Sequence, residues 1–498
     1  MHSMRRYIHS SSIGVTLIDN CLATRRSFAT LHFLKGFTLP VLILIGTLAA
    51  TQTVKSAESV GITALSAEAE KGVAQAELEL AEAYLDGIGT HTNVVKAIPW
   101  LEKAVKHNLP QAQFRLGKCY YFGIGVDRDL TKAVSYYRQA ADAGNSLAQN
   151  NLGVCFFEGK GVNKNLETST MWIKKAAEQN CPKAQCNLAN CFYNGNGVTK
   201  DRQEAVKWYR KAAEQNNADG QFMLANCLYN GNGVTKDPQE AVMWLRKAAE
   251  QNNADGQFRL ATCYYNGEGV TKDPQEAVKW YRKAAEQNDA KGQCGLGSCF
   301  YNGEGVTKDR QEAVKWYRKA AEQNNADGQF GLATCLLYGN GVTKDPQEAV
   351  KWYRKAAEQN NAKGQFMLAN CFYYGEGVNK NDVESLMWLR KAAEQNNVDS
   401  QYMLGRCYYY GQGLNKDSQE AVKWFRKAAE QNNAAAQYEL GYCYYHNIGI
   451  ASDEVEALKW FRAAAFNGNV AAQNALSVLE DKNARTQDER LENIRKTR

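Results

Sequence analysis

VTKDRQEAVKWYRKAAEQNNADGQFMLANCLYNGNG, residues 198–233, recurs with small changes every 36 residues from about Ala74 to the end of the folded part. One unit of this size cannot bury its own apolar face without stacked neighbours, so the period points to a solenoid of repeats. Cysteine returns at each step from Cys119 to Cys443, and all ten tryptophans share one column, from Trp100 to Trp460, interrupted only by Tyr136. Tryptophan is costly to expose. Confined to a single repeat position, it reads as a packing wedge rather than a functional aromatic.

Each unit reads as two helices. In the first, about Ala218 to Asn230, Gly220, Gln221, Leu224, Cys227 and Leu228 share one face at 3.6-residue spacing. The Leu224 column is leucine from Leu80 to Leu476, and the Ala225 column is alanine or glycine until Ser477, which admits a second helix closely. Gly231 and Gly233 end this helix, where the backbone must turn left-handed, and Asn447 stands in for the first glycine in the last unit. The second helix starts after Asp237, in a column that is always Asp or Asn, and Pro238, Pro274 and Pro346 take its first position. Glu240, three residues on, completes the signature of a reciprocal capping box. Ala241, Trp244, Leu245, Ala248 and Ala249 form the buried stripe, with Arg246, Lys247 and Glu250 toward water. The Asn252 column exchanges only with glycine, at Gly144 and Gly468, which predicts a left-handed stop.

A chain of 498 residues would ordinarily form several domains, but the period replaces them with one elongated repeat domain. Hydrophobic content of 44% and charged content of 23% suit an ordered soluble protein. The formal charge is +7, of which residues 1–60 carry +4 and residues 481–498 carry +2. The solenoid itself is nearly neutral, so no basic field argues for nucleic acid. Residues 1–36 are basic and rich in Ser and Thr. The apolar run FTLPVLILIGTLAA follows at 37–50, short for a membrane span and suited to a signal-peptide core. Residues 37–54 therefore read as a signal core or a single membrane anchor, hence an exported or anchored protein; an organellar transit segment or a cytoplasmic protein are the alternatives. Residues 55–73 read as a linker, 74–480 as eleven repeats plus a half-repeat cap, and 481–498 as a charged tail.

The unit resembles the Sel-one-like (SLR) repeat family, relatives of the tetratricopeptide repeat. The pattern stands here as A-x-x-Q-x-x-L-A/G-x-C-x-Y-x-G-x-G-V followed by D-x-x-E-A-V-x-W-Y-x-K-A-A-E, and it covers most of the chain. The resemblance implies an all-α fold, a right-handed α/α superhelical solenoid that scaffolds protein complexes, often in membrane-associated degradation, signalling or host contact. The cysteine column departs from the family, which more often has an aliphatic residue there. Neighbouring first helices stand about 8–10 Å apart, beyond the roughly 4.4–6.8 Å between Cα atoms that a disulfide allows. Column cysteines therefore cannot staple one another, and no CxxC or Cys/His pairing accompanies them, so they read as small hydrophobes. The within-unit cysteine pairs of secreted cysteine-rich relatives are missing.

No catalytic, cofactor or metal constellation appears. The six histidines form no helix-spaced set, and the S-x-x-K, S-D-N and K-T-G motifs of a beta-lactamase are absent. The recurring GxGVTK lacks the G-K-[ST] of a phosphate loop. What varies is the first-helix face opposite Leu224, even between nearly identical units. Its Asn226 column runs through Asn190 and Asn226 to Arg406 and Tyr442, and its Asn230 column changes from asparagine to Tyr338, Tyr374, Tyr410 and His446. Tyr402 and Tyr438 join them from the Phe222 column. Rigid aromatics beside adaptable polar groups are what binding surfaces favour. The reading is a non-enzymatic adaptor that holds a protein or peptide in a concave groove, through Tyr338, Tyr374, Tyr402, Arg406, Tyr410, Tyr438 and Tyr442, with Asn190, Asn226 and Asn230 as hydrogen-bonding positions. On this reading residues 37–54 are the segment that would attach the protein to a membrane. A hydrolase of beta-lactam-like or cell-wall substrates and a spacer without a specific ligand are the alternatives.

Overall fold

The computed structural model describes residues 61–479, where helices, turns and bends account for the ordered backbone and no strand occurs. The residues read as targeting segment, signal core and tail lie outside this range. Eleven repeats of two helices, each helix 13 residues long, divide into two compact bodies. In the N-terminal body, repeats one to five, the first helices are Ala74–Asp86, Pro110–Phe122, Ser146–Glu158, Pro182–Asn194 and Ala218–Asn230. They alternate with second helices Val94–Lys106, Leu130–Asp142, Leu166–Glu178, Arg202–Glu214 and Pro238–Glu250. The C-terminal body holds repeats six to eleven. Its first helices are Ala254–Asn266, Ala290–Asn302, Ala326–Tyr338, Ala362–Tyr374, Val398–Tyr410 and Ala434–His446. Its second helices are Pro274–Glu286, Arg310–Glu322, Pro346–Glu358, Asp382–Glu394, Ser418–Glu430 and Glu454–Phe466. Residues 61–70, read as part of a linker, are instead helical: Ile62, Leu65 and Ala69 pack on Ala76 and Leu80 of repeat one. Residues 470–479 form a further helix that buries Ala472 and Leu479 against repeat eleven.

The helix boundaries follow the local chemistry. Gly231 ends its helix at φ 70°, Asn447 does the same at 54°, and Asn252 closes the second helix at 62°. The second glycine of the pair is held by space as well: a Cβ on Gly233 would meet the Arg202 carbonyl oxygen of the preceding repeat. Asp237 caps its helix by accepting from the Glu240 N–H at 2.9 Å. The reciprocal half of the capping box is not made. The Asp237 N–H is already given to the Leu228 carbonyl, at 2.9 Å, so the Glu240 carboxylate is released for other work. It accepts from the Trp244 indole at 3.1 Å and from Arg210 of the preceding repeat at 2.7 Å.

The tryptophans pack to different depths from repeat to repeat. Trp244, Trp280, Trp388 and Trp424 are buried, as a packing wedge should be, while Trp208 and Trp352 are only half-buried; the next residue goes deeper at Tyr209, Leu245, Tyr353 and Phe425. The outer ring face is covered by the repeat's own lysine three residues on, with the Lys247 ammonium 4.3 Å from the Trp244 ring and Lys283 4.1 Å from Trp280. Lys247 is exposed, as expected, and its stem lies along its helix over the aromatic ring.

Successive repeats are also tied by a buried polar ladder. The Gln221 column is almost wholly buried, and its amides donate to the closing carbonyls of the preceding second helix, as from Gln149 to Ala141 at 3.0 Å and from Gln365 to Ala357 at 3.1 Å. In repeats three to ten the amide oxygen in turn accepts from the glutamine that ends its own repeat's second helix, at 2.7 Å for Gln251 to Gln221 and for Gln395 to Gln365; in repeat eleven Asn467 donates to Gln437 instead, and the Gln113 oxygen of repeat two has no partner. From repeat three onward these buried amides are tolerated because both ends are satisfied.

Candidate functional site

The first helix has two faces with different duties. Leucines from Leu80 to Leu440 are completely buried. On the opposite side, the Asn226 column faces the large side chain that the second helix of the same repeat inserts. In four of the five repeats where that side chain is tyrosine, the column supplies a partner for its hydroxyl; in repeat two the column is Lys118 and the buried Tyr137 hydroxyl takes no partner from it. Tyr209 donates to the Asn190 carboxamide oxygen at 2.6 Å, Thr262 pairs with Tyr281 at 3.2 Å, and Thr334 pairs with Tyr353 at 3.1 Å. Ser298 does the same for Tyr317. Part of the variation read as a binding signature is therefore internal satisfaction of a buried hydroxyl.

This moves Asn190 from the partner-facing set into the framework. Asn230 is likewise engaged, donating to the Asn226 carbonyl at 2.9 Å, while Asn226 is half-buried in a repeat whose second helix inserts Leu245. All three asparagines belong to the N-terminal body; the seven aromatic and arginine positions belong to the C-terminal body.

In repeats ten and eleven the second helix inserts Phe425 and Phe461, which carry no hydroxyl. The Asn226 column is thereby freed, and it holds Arg406 and Tyr442. Arg406 lies over two rings of its own helix, 5.9 Å from Tyr402 and 5.7 Å from Tyr410. Tyr402 packs at 6.2 Å on Phe425. One repeat on, Tyr438, Tyr442 and His446 form a second row, with ring separations of 6.3 and 4.1 Å. Glu439 stands beside these rows. Burial pushes its carboxyl above the usual range, and the Arg406 charge partly opposes this. Burial likewise raises the Tyr402 and Tyr438 hydroxyls, so both stay neutral near neutral pH. Tyr338, Tyr374 and Tyr410 are the most open members, 58%, 64% and 54% exposed.

Glu439 was not among the residues singled out from sequence, and His446 was noted only as a member of its variable column; their place three and four residues from Tyr442 on one helix was the available signal. The Tyr229 column proves structural. Tyr193 accepts from Asn232 at 3.2 Å, and Tyr373 donates to Gln412 at 3.0 Å, each in the loop of the next repeat.

Among the described residues the column cysteines are free thiols, and no His, Cys, Asp or Glu cluster suits a metal ion. Burial pushes Cys119 up to about 11 and Cys155 and Cys299 up to about 12, which keeps them protonated and unreactive. No described helix is long and apolar enough to cross a membrane.

A family model for the Sel1 repeat matches eleven contiguous segments, from 74–109 to 434–469. A protective antigen of uropathogenic Escherichia coli strains, displaying an SLR fold, is 37% identical over 84% of this chain and 90% of its own, with a TM-score of 0.69. A Sel1 repeat protein from Oxalobacter formigenes is 32% identical over 62% of this chain and 89% of its own, with a TM-score of 0.46. No curated protein matches the chain.

Proposed function

The chain belongs to the Sel1 repeat family, whose solenoids are typically protein-interaction scaffolds, and from that premise we propose that it is a non-enzymatic adaptor. Its partner is a protein or peptide held along the first helices of the C-terminal body, in repeats eight to eleven. The observation that carries this reading is the release of the Asn226 column from internal duty in repeats ten and eleven. There the column bears Arg406 and Tyr442, beside Tyr402, Tyr438 and the more than half-exposed Tyr410. Tyrosine and arginine dominate interface hot spots because they bring large contact area at a low entropic cost.

The near-neutral solenoid supports a protein partner over nucleic acid. We place the protein outside the cytoplasm or at a membrane, on the apolar run at 37–50; sequencing the N-terminus of the mature protein separates cleavage from anchoring. The adaptor reading is tested by pull-down with the full chain and with its Tyr374→Ala/Arg406→Ala variant. A partner retained by the first and lost by the second supports it. Identical captured sets from both would reject the C-terminal face.

A further inference from the structure

Tyr338, Tyr374 and Tyr410 occupy the same position in three consecutive repeats, at the ends of their first helices, and all are more than half exposed. Two of the rings are braced. Tyr374 stands edge-on to Tyr373 at 4.8 Å, and Tyr410 stands edge-on to Tyr409 at 4.9 Å. Tyr373 is itself pinned by its hydroxyl to Gln412 of the next repeat. An exposed ring that is already held loses little freedom on contact. In repeat eleven the same position carries exposed His446, so the row continues.

The row has a pitch. Packed first helices stand about 8–10 Å apart, so one ring is offered roughly every 9 Å. A polyproline II helix advances about 3.1 Å per residue with three residues per turn, and so returns the same face about every 9.3 Å. A β-strand turns its side chain to the other face after three residues. An α-helix returns to one face after seven residues, about 10.5 Å, beyond that spacing. Aromatic rows with hydroxyls at their edges are also the surfaces on which proline-rich segments dock.

The charges give the row a direction. Arg406 lies beside the third ring, at 5.7 Å from Tyr410. Glu376, in the bend just after the second ring, adds its negative charge to burial in raising the Tyr338 hydroxyl, so the acid lies on the side of the row toward the first ring.

We propose that this row binds a proline-rich segment in the polyproline II conformation, with one proline turn per repeat, a basic residue beside Tyr338 and an acidic residue beside Tyr410. The proposal rests on the adaptor reading and narrows it to one class of ligand. The test uses the full chain and three fluorescent degenerate peptide libraries, read by anisotropy. One has proline at every third position, with Arg and Glu at opposite ends in both orders. The second has the same prolines at every fourth position, and the third is an amphipathic heptad helix. The expected result is binding of the period-three library at least tenfold tighter than the other two. Tyr374→Ala should weaken it roughly tenfold, and Arg406→Ala should remove its dependence on the acidic end, with melting of both variants unchanged. Equal binding of all libraries, or preference for the heptad library, overturns the proposal. If a partner from the pull-down stays sensitive to Tyr374→Ala in that case, the adaptor reading stands without it. Period-three binding that ignores both substitutions overturns the placement and counts against the adaptor face as well.

Discussion

Replacing Gln365 by leucine should loosen one junction between repeats by about 2 kcal/mol. The side chain is 1% exposed. Its amide donates to the Ala357 carbonyl at 3.1 Å and to the Asn360 carboxamide at 3.0 Å, both in repeat eight. Its oxygen accepts from Gln395 at 2.7 Å. Three hydrogen bonds at about 1 kcal/mol net each give a loss of about 3 kcal/mol, and leucine's apolar burial returns about 1 kcal/mol. The penalty is not larger because the partners keep other bonds: Ala357 still accepts from the Asn360 N–H at 2.9 Å, and Gln395 still reaches Asn360 at 3.1 Å. Urea melts give the total, and native-state hydrogen exchange gives its location. Exchange should quicken first in the second helix of repeat eight and the first helix of repeat nine, because coupling in a solenoid is between nearest neighbours. Stability unchanged within about 0.5 kcal/mol, or a loss spread evenly over every repeat, would refute the ladder's role.

Trp280→Ala should cost roughly 3–5 kcal/mol through the cavity it leaves, and should also free Lys283 from the ring and Glu276 from the indole, 3.0 Å away; unaltered exchange around repeat six would contradict this. Tyr353→Phe and Thr334→Val should each cost about 1 kcal/mol and together less than their sum, since both remove the same 3.1 Å contact; strict additivity in a double-mutant cycle would dissolve the pairing. Alkaline pH should weaken the fold. The buried thiols are protonated in both states below an unfolded pKa of about 8.5, and above it only the unfolded chain releases its protons. The loss therefore grows with pH until Cys155 and Cys299 ionise at about 12, and a urea midpoint flat between about pH 8 and 10.5 would exclude it.

Much of the fold was legible because a repeat writes each physical constraint many times. The Leu224 and glycine columns, the Asp237 cap and the Asn252 stop all appear as single-residue preferences, and each has the predicted burial or backbone angle. Less legible were features that depend on two columns at once. Nothing in the Asn226 column alone shows that Asn190 serves Tyr209, or that Phe425 leaves Arg406 free; the coupling emerges only when the two helices are laid together. The capping box failed for a related reason. The cap's N–H is consumed by a carbonyl in the last turn of the first helix, nine residues back, as at Asp237 and Leu228, which no local motif reports.

Side-chain oxidation footprinting of the full chain, alone and with a captured partner, tests the partner face most directly. Tyr338, Tyr374 and Tyr410 are open to hydroxyl radicals in the free protein, while the leucines beneath them are closed. Exposed Met171, in the N-terminal body, serves as an internal reference. Bound partner should slow oxidation of the three tyrosines several-fold and leave Met171 unchanged. Undiminished oxidation at Tyr374 and Tyr410, with protection appearing only in repeats one to five, would contradict the assignment.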